Sequence, residues 1–361
     1  MSDTRHQPTA CLVTGGAGFI GANFLHRLVP QRPVVRFVCL DLLTYAGHRA
    51  SLAPVEDASN FRFVHGDVAD RALVGRLFEE EGFTTVVHFA AESHVDRSIH
   101  DPLAFVRTNV MGTAVLLEAA RQAWTGGGQI DDERFRFHHV STDEVFGTLG
   151  DTGAFDETTP YAPRSPYSAS KAGSDHLARA YAHTYGLPVT LSNCSNNYGP
   201  YQHPEKLIPL MIRQAAAGEP MPVYGRGGNV RDWLHVHDHA DALERIVWSG
   251  QNGETYAVGG RAERQNLTVV EAVADLVDEA LGREPGTARA LITFVTDRPG
   301  HDWRYAMDPG KIERELGWRP AHTFEQGLRE TVRWYLNHPE WVAAVTGEAF
   351  ESYYQQHYGD G

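Results

Sequence analysis

The sequence is poor in cysteine and in basic residues, and it has no long apolar run. Its only cysteines are Cys11, Cys39 and Cys194, with no CxxC pair and an odd count, so no disulfide framework is expected. Free thiols fit a reducing compartment. No apolar run is long enough to span a bilayer, and the polar N-terminus leads directly into a predicted strand, unlike a signal peptide. The prediction is a cytoplasmic protein without a membrane partner.

Acidic residues outnumber basic ones. The chain has 46 Asp and Glu against 32 Lys and Arg, for a formal net charge of -14 over 361 residues. This balance argues against nucleic acid or an anionic membrane as the main partner. It leaves room for an anionic small ligand, because a local cluster of Arg and Lys can still bind phosphate.

Short apolar runs alternate with helical patterns through the first half of the chain. This alternation predicts an α/β fold with a Rossmann-like, doubly wound parallel sheet. The alternation weakens after residue 198. We therefore predict one domain over residues 1–198 and a smaller mixed α/β domain over residues 199–361, with the segment 230–260 returning to the first sheet.

Helix signals are clearest in the second half. Thr323 with Gln326, and Thr268 with Glu271, have the spacing of capping boxes. A third helix is expected after a strand over residues 231–237, with Asp238 as its N-cap.

Four residues at that strand end, namely His235, His237, Asp238 and His239, are of types that bind metals. In a strand, His235 and His237 would share one face. Because Asp238 suits a capping role and the predicted chemistry needs no metal, we expect none here.

The first predicted strand ends in the loop TGGAGFIG, where Gly15, Gly18 and Gly21 stand at GxxGxxG spacing. Glycines allow a tight turn and let a pyrophosphate approach a helix N-terminus. Asp41 ends the second strand, where a carboxylate can accept hydrogen bonds from an adenosine ribose and would repel a 2′-phosphate. The order of strand, glycines, helix and acid predicts a dinucleotide site that prefers NAD to NADP.

Tyr167 and Lys171 stand four residues apart at the start of a predicted helix over residues 168–185, so they share one helix face. A nearby ammonium favours phenolate, so we predict that Lys171 lowers the pKa of Tyr167 from about 10. A tyrosine tuned in this way can take a proton from a sugar hydroxyl while hydride leaves the same carbon. The lysine can also hold the nicotinamide ribose.

Thr142, Asp143 and Glu144 end the fifth predicted strand, at the sheet edge where open α/β sheets bind ligands. Two adjacent carboxyls repel each other, so one of them should have a raised pKa. That arrangement suits an acid and a base that work as a pair.

These motifs resemble the extended short-chain dehydrogenase/reductase superfamily, in the branch that acts on nucleotide sugars. The segment STDEVFG at residues 141–147 resembles the STDEVYG of dTDP-glucose 4,6-dehydratases, with Phe146 in place of the usual Tyr. Related epimerases carry small residues at the acidic pair, and GDP-mannose dehydratases and UDP-glucuronate decarboxylases carry Ser before the Glu. The resemblance continues through AAESHVDRS, SNNYGPY, PEKLIP, VRDW and DRPGH, which begin at residues 90, 195, 204, 230 and 297.

The resemblance implies an NAD-dependent lyase that acts on dTDP-glucose and gives dTDP-4-keto-6-deoxyglucose. Tyr167, assisted by Lys171, takes the C4 hydroxyl proton, while Thr142 polarises the C4 oxygen. Glu144 removes the C5 proton and Asp143 protonates the departing C6 hydroxyl. NAD is retained and regenerated in each turnover.

The implied contacts fall into two sets. Predicted cofactor-binding residues are Gly15, Gly18, Phe19, Ile20, Gly21, Asp41, Leu42, Thr44, Asp67, Val68, Ala90, Ala91, Ser93, Thr108, Tyr167, Lys171 and Asn197. Predicted substrate-binding residues are Ser93, Thr142, Asn196, Lys206, Leu207, Pro222, Tyr224, Arg231, Asn266, Arg298 and His301. Arg231 and Arg298 are suited to bidentate diphosphate binding.

Three other functions stay open at this stage. The same reaction could act on UDP-glucose or another nucleotide hexose, which base contacts decide. A C4 epimerase would not need Asp143 and Glu144, and a non-catalytic NAD-binding regulator would need neither these acids nor Tyr167 and Lys171. The resemblance also implies a homodimer, in which helices near residues 110–124 and 168–185 pair into a four-helix core.

Overall fold

A computed structural model describes residues 6–125, 130–131, 133–297 and 300–347. The strands within these ranges are β1 (Ala10–Thr14), β2 (Arg36–Asp41), β3 (Phe61–His65), β4 (Thr85–His88), β5 (Arg136–Thr142), β6 (Val189–Cys194), β7 (Asn196–Tyr198), β8 (Met221–Tyr224), β9 (Val230–His235), β10 (Thr255–Val258), β11 (Glu263–Gln265) and β12 (Ile292–Val295). The helices are α1 (Phe19–Gln31), α2 (Arg71–Glu81), α3 (Val95–His100), α4 (Pro102–Phe105), α5 (Thr113–Thr125), α6 (Pro166–Tyr185), α7 (Leu207–Ala217), α8 (Val236–Ser249), α9 (Asn266–Leu281), α10 (Gly310–Leu316), α11 (Phe324–Asn337) and α12 (Pro339–Val345).

Seven parallel strands form the large sheet, in the order β3-β2-β1-β4-β5-β6-β10. The first six follow the doubly wound order of dinucleotide-binding sheets. Every residue of β1 and β4 is buried, as expected for strands that are covered by helices on both faces. The predicted Rossmann-like parallel sheet is therefore confirmed.

Smaller sheets extend the second half of the chain. β9 lies between β7 and β11, and β8 pairs in parallel with β12. A separate apolar core joins the α7, α9 and α11 faces, including Ile208, Val273 and Leu328. Because β7 follows β6 almost directly, it carries the chain from the large sheet into this second layer.

Two of the predicted helix starts were wrong and one was right. Thr323 and Gln326 form the predicted capping box of α11. α9 begins at Asn266, ahead of Thr268, and has no side-chain cap. α8 begins at Val236, so β9 ends at His235 and the carboxylate of Asp238 lies inside the first helical turn.

Contrary to the sequence analysis, which found no such run, the stretch Pro102–Thr125 is long and apolar enough to cross a membrane by length and composition alone. It includes a π-helical segment. It packs against α6 and α2, as a helix of a globular core does, so its apolarity alone is weak evidence for a membrane. Its outer face leaves Leu103, Val106 and Met111 exposed.

Candidate active site

A long cleft crosses the carboxyl ends of β1, β2, β4, β5 and β6. It is lined by every predicted catalytic residue and every predicted cofactor-binding residue. Of the predicted substrate-binding residues, it is lined by Ser93, Thr142, Asn196 and Lys206. The fold thus brings residues from strand ends of the large sheet, from β7 and from the segment before α7 to one site.

The glycine loop packs so tightly that side chains are excluded. Gly15 has a φ of +70°, and a Cβ there would lie 2.5 Å from the Ala90 nitrogen. A Cβ at Gly21 would lie 2.4 Å from the Gly15 oxygen. At Gly18, the N-cap of α1, the nearest atom would be 3.3 Å away. Gly18 lines the cleft, so the start of α1 faces the space in which a pyrophosphate can bind.

Asp41 is hydrogen-bonded to this loop. Its Oδ2 accepts from the Ala17 backbone N–H at 2.9 Å, and its Oδ1 accepts from Leu43 N–H at 2.8 Å. Burial raises the pKa of Asp41, while these hydrogen bonds oppose the rise. Across the cleft, Asn196 Oδ1 is buried without a hydrogen-bond partner in the described residues. The glycine cradle, the acid and this free acceptor fit a dinucleotide such as NAD.

Tyr167 and Lys171 lie in the first turns of α6, behind a Ser165–Ser168 capping box. Both side chains are buried, and Lys171 Nζ donates to the Val140 carbonyl at 2.8 Å. Burial and then the charge of Glu144 raise the pKa of Tyr167 well above its usual range. The predicted lowering by Lys171 was therefore wrong for this structure, because desolvation dominates and the ammonium is directed to a carbonyl.

Asp175, one turn after Lys171, was missed by the sequence analysis. Its carboxylate lies 3.0 Å from His139 Nε2, and it accepts hydroxyl hydrogen bonds from Ser141 and Tyr161, each at 2.8 Å. Burial alone would raise the pKa of Asp175, but these partners hold it below the usual value. The negative charge counteracts the burial that lowers the pKa of Lys171. No local pattern marks Asp175, since its partners come from β5 and a distant loop.

The acidic pair lies where β5 gives way to a 3₁₀ turn over Asp143–Phe146. Thr142 Oγ1 accepts from Glu144 N–H at 3.3 Å and donates to Asp143 Oδ1 at 3.2 Å. Asp143 is 2% exposed. Burial, followed by the charge of Glu144, raises its pKa well above the usual range. The prediction that one acid of the pair has a raised pKa is confirmed, and Asp143 is the member whose pKa is raised.

The other predicted substrate-binding residues lie outside the lining of the cleft. Leu207 begins α7 directly after Lys206, Pro222 and Tyr224 lie on β8, and Asn266 begins α9. The rings of Tyr224 and His301 are 6.3 Å apart. We call these residues the second group, of which Leu207 adjoins the cleft-lining Lys206 in sequence. Arg298 lies outside the described residues.

Arg231 connects the two groups. Its guanidinium donates to the carbonyls of Val230 and Asp302 and lies 4.2 Å from the centre of the Tyr305 ring. Its positive charge also moderates the raised pKa of Asp143. Bidentate binding of a diphosphate would require this guanidinium to leave some of its backbone acceptors.

The cleft also has lining residues that the sequence analysis missed, among them Ala46, Gly47, Gly66 and His203. Gly47 lies at a position that favours glycine, because a Cβ there would lie 2.7 Å from Asp41 Oδ1. Glycines that follow the acid at the end of β2 are therefore part of the same cradle.

Known proteins share this architecture over nearly the whole chain. The family model for GDP-mannose 4,6 dehydratase matches residues 12–331. A dTDP-glucose 4,6-dehydratase of Xanthomonas campestris pv. campestris (strain B100) is 59% identical over 335 residues, covering 92% of this chain and 95% of that protein. The dTDP-glucose 4,6-dehydratase 1 of Escherichia coli K12 is 51% identical over 358 residues, covering 96% and 98%.

Solved structures of similar proteins indicate the same family. The dTDP-glucose 4,6-dehydratase of Streptomyces venezuelae with NAD and TYD bound superimposes with a TM-score of 0.84 at 47% identity, covering 93% of this chain and all of that one. A UDP-glucose 4-epimerase of Thermus thermophilus, with NAD, reaches a TM-score of 0.80 at 30% identity, covering 91% and 99%. Identity is thus higher to these dehydratases than to this epimerase. The chain belongs to the dTDP-glucose 4,6-dehydratase family of the extended short-chain dehydrogenases/reductases.

Proposed function

We propose that this chain converts dTDP-glucose into dTDP-4-keto-6-deoxyglucose and water. The observation that carries the proposal is the Asp143–Glu144 pair, which lines the same cleft as Tyr167 and places an acid with a raised pKa beside a second carboxyl. An oxidoreductase that only moves hydride at C4 has no use for such a pair. Elimination of water across C5 and C6 needs one base and one acid.

The cofactor is NAD, held by the glycine loop, by Asp41 and by the residues around Tyr167 and Lys171. Bound there, NAD supplies the hydride acceptor and donor, and its positively charged ring favours the Tyr167 phenolate. The chain itself binds the cofactor, orients the sugar and moves protons.

Tyr167 acts first, as the base that takes the C4 hydroxyl proton. Thr142 is positioned to donate a hydrogen bond to the C4 oxygen once its hydroxyl turns from Asp143 Oδ1, 3.2 Å away. Lys171, one helical turn further along α6, would hold the nicotinamide ribose, and the charge of Asp175 opposes the burial that lowers the pKa of Lys171. Glu144 therefore serves as the base of the second step.

Glu144 and Asp143 then carry out the elimination. A ketone at C4 acidifies the C5 proton, which the Glu144 carboxylate removes. The C6 hydroxyl leaves as water after accepting the proton that the raised pKa keeps on Asp143. Both proton transfers require that Asp143 is protonated while Glu144 is ionised.

We also propose a division of labour along the chain, in which residues 1–198 bind NAD and residues 199–361 bind the nucleotide sugar, while segment 230–260 returns to the first domain. The first-domain residues line most of the cleft, and the second group lies largely on β8 and at the start of α9, in the other part of the chain. In our proposal the nucleotide base and diphosphate lie along this second group.

The direct test of function is incubation of the purified chain with dTDP-glucose or with UDP-glucose, without added reductant. We expect a 4-keto-6-deoxy sugar from dTDP-glucose, with deuterium placed at C4 recovered at C6, and little product from UDP-glucose. A galactose epimer without a ketone would instead indicate the epimerase, and bound NAD without turnover would indicate a regulator. Equal rates on both nucleotides would contradict the dTDP preference.

A homodimer is part of the proposal. Leu103, Val106 and Met111 are 76%, 48% and 55% exposed on one apolar helical stretch, which packs beside α6. Pairing of this stretch and α6 with their copies would bury these side chains in a four-helix core. Multi-angle light scattering at micromolar concentration should give twice the mass of one chain, and a monomer would contradict the proposal.

A reducing cytoplasmic location is also proposed, because Cys11, Cys39 and Cys194 are all free and buried. Such thiols need no oxidising compartment.

A further inference from the structure

Three histidines from two separate segments of the chain converge on one point outside the lining of the cleft. His235 ends β9, His237 lies in the first turn of α8, and His322 precedes the N-cap of α11. One ring nitrogen from each lies within 4.8 Å of the others. The His235 ring centre is 4.2 Å from that of His322 and 4.9 Å from that of His237.

His235 is the unusual member of this cluster. Its side chain is 98% buried, and neither ring nitrogen has a hydrogen-bond partner within the described part of the chain. A buried polar group without a partner costs stability, so most buried imidazoles are hydrogen-bonded. A ligand that accepts a lone pair from His235 would satisfy it.

His322 is already oriented as a metal-bound histidine would be. Its Nδ1 lies 2.9 Å from Asp238 Oδ1, and its backbone N–H donates to Asp238 Oδ2 at 3.0 Å. This carboxylate fixes the ring and leaves Nε2 directed elsewhere, 3.7 Å from Glu330 Oε2. A carboxylate behind a ligating imidazole is the usual outer support of zinc sites.

The cluster is closely packed on one side and exposed to solvent on the other. A Cβ at Gly327 would lie 3.0 Å from His235 Cδ2, so only a glycine lets α11 approach β9 this closely. His237 is exposed and gives a metal ion a path from solvent.

We propose that His235, His237 and His322 form a site for one divalent transition-metal ion, with Zn²⁺ as the best fit, and that Glu330 or water completes a tetrahedron. Neutral imidazoles suit Zn²⁺, Ni²⁺ and Cu²⁺. In a tetrahedron, two nitrogens that each lie about 2.1 Å from Zn²⁺ are about 3.4 Å apart. The ligand atoms of the cluster lie within 4.8 Å of one another, so metal binding needs the cluster to contract by up to about 1.4 Å.

The ion would join α8 and α11 through the end of β9. β9 pairs with β7, which places Trp233 opposite Asn196 and Leu234 opposite Asn197 at the cleft. His239 is not a ligand, because its Nδ1 lies 2.9 Å from Asn197 Oδ1. The site is therefore structural. It would stabilise β9 and, through it, β7, which carries Asn196 and Asn197.

The test uses the full chain without affinity histidines, stripped with a chelator and titrated with ZnCl₂ by calorimetry. We expect one Zn²⁺ per chain and a rise of a few degrees in melting temperature at excess metal. His237→Gln, at an exposed position where folding is least affected, should weaken Zn²⁺ binding by about tenfold or more. His183→Gln, an exposed histidine on α6, is the matched control and should bind as the parent does.

Co²⁺ supplies a readout of geometry. The parent should give intense visible absorption bands of tetrahedral Co²⁺, and both His237→Gln and His322→Gln should reduce them. Failure of the parent to bind Zn²⁺, or equal affinity in the parent and His237→Gln, overturns the proposal. So does a purely octahedral, weak Co²⁺ spectrum.

Discussion

Glu144→Gln is expected to lower turnover of dTDP-glucose by about 10²–10⁴-fold, the range typical for loss of a general base. The amide cannot remove the C5 proton, although it has the shape of the carboxyl. The charge of Glu144 also raises the pKa values of Tyr167 and Asp143. Its removal should therefore favour ionisation of Tyr167, so the first proton transfer survives while elimination fails.

Exchange of the C5 hydrogen with solvent D₂O separates these steps. The parent should exchange and Glu144→Gln should not, as followed by NMR of the sugar. Glu80→Gln, on the exposed face of α2, is the matched control and should retain full activity and exchange. Full turnover in Glu144→Gln would show that another group is the base.

Asp143→Asn is expected to cost about 10²–10⁴-fold in turnover and, at the same time, to stabilise the folded chain. An amide cannot give a proton to the C6 hydroxyl. It can, however, keep the hydrogen bond from Thr142, because the amide oxygen replaces Asp143 Oδ1. The variant thus removes a proton donor with little change in packing.

The stabilisation should depend on pH in a defined direction. The pKa of Asp143 is raised in the folded chain from 3.8, so the folded state binds this proton more tightly than the unfolded state. Below about pH 3.8 the carboxyl therefore does not lower the free energy of unfolding. As pH rises toward its folded pKa, the carboxyl lowers that free energy progressively. Melting curves should show a larger gain for Asp143→Asn at pH 8 than at pH 5.

Asp151→Asn, at an exposed loop position, is the control for this comparison, and its melting temperature should follow the parent at both pH values. A gain for Asp143→Asn that is equal at pH 5 and pH 8 would contradict the raised pKa. Retained turnover would contradict the role of Asp143 as the acid.

The sequence predicted the features that depend on residues close together along the chain. The glycine loop, Asp41 and the pair of Tyr167 and Lys171 are recognisable because each lies at a strand end or on one helix turn. The Thr323–Gln326 capping box is equally local, and it was correct. The cleft gathers such strand ends because parallel strands share one carboxyl edge.

Features that depend on tertiary packing were not predictable from the sequence. The direction of the Tyr167 pKa follows from complete burial and the approach of Glu144, which no spacing reveals. The role of Asp175 depends on His139, 36 positions away. Asp238 failed as a predicted cap because His322, 84 positions later, takes its carboxylate.

The place of β10 at the sheet edge next to β6 has a consequence for how this chain is made. During synthesis the large sheet stays incomplete until residues 255–258 have left the ribosome, long after the glycine loop and the catalytic helix have emerged. Until then β6 presents open backbone groups that invite pairing with other chains. A fragment cut near residue 198 would keep that edge permanently, so the cofactor half depends on the second half of the gene product for protection against aggregation.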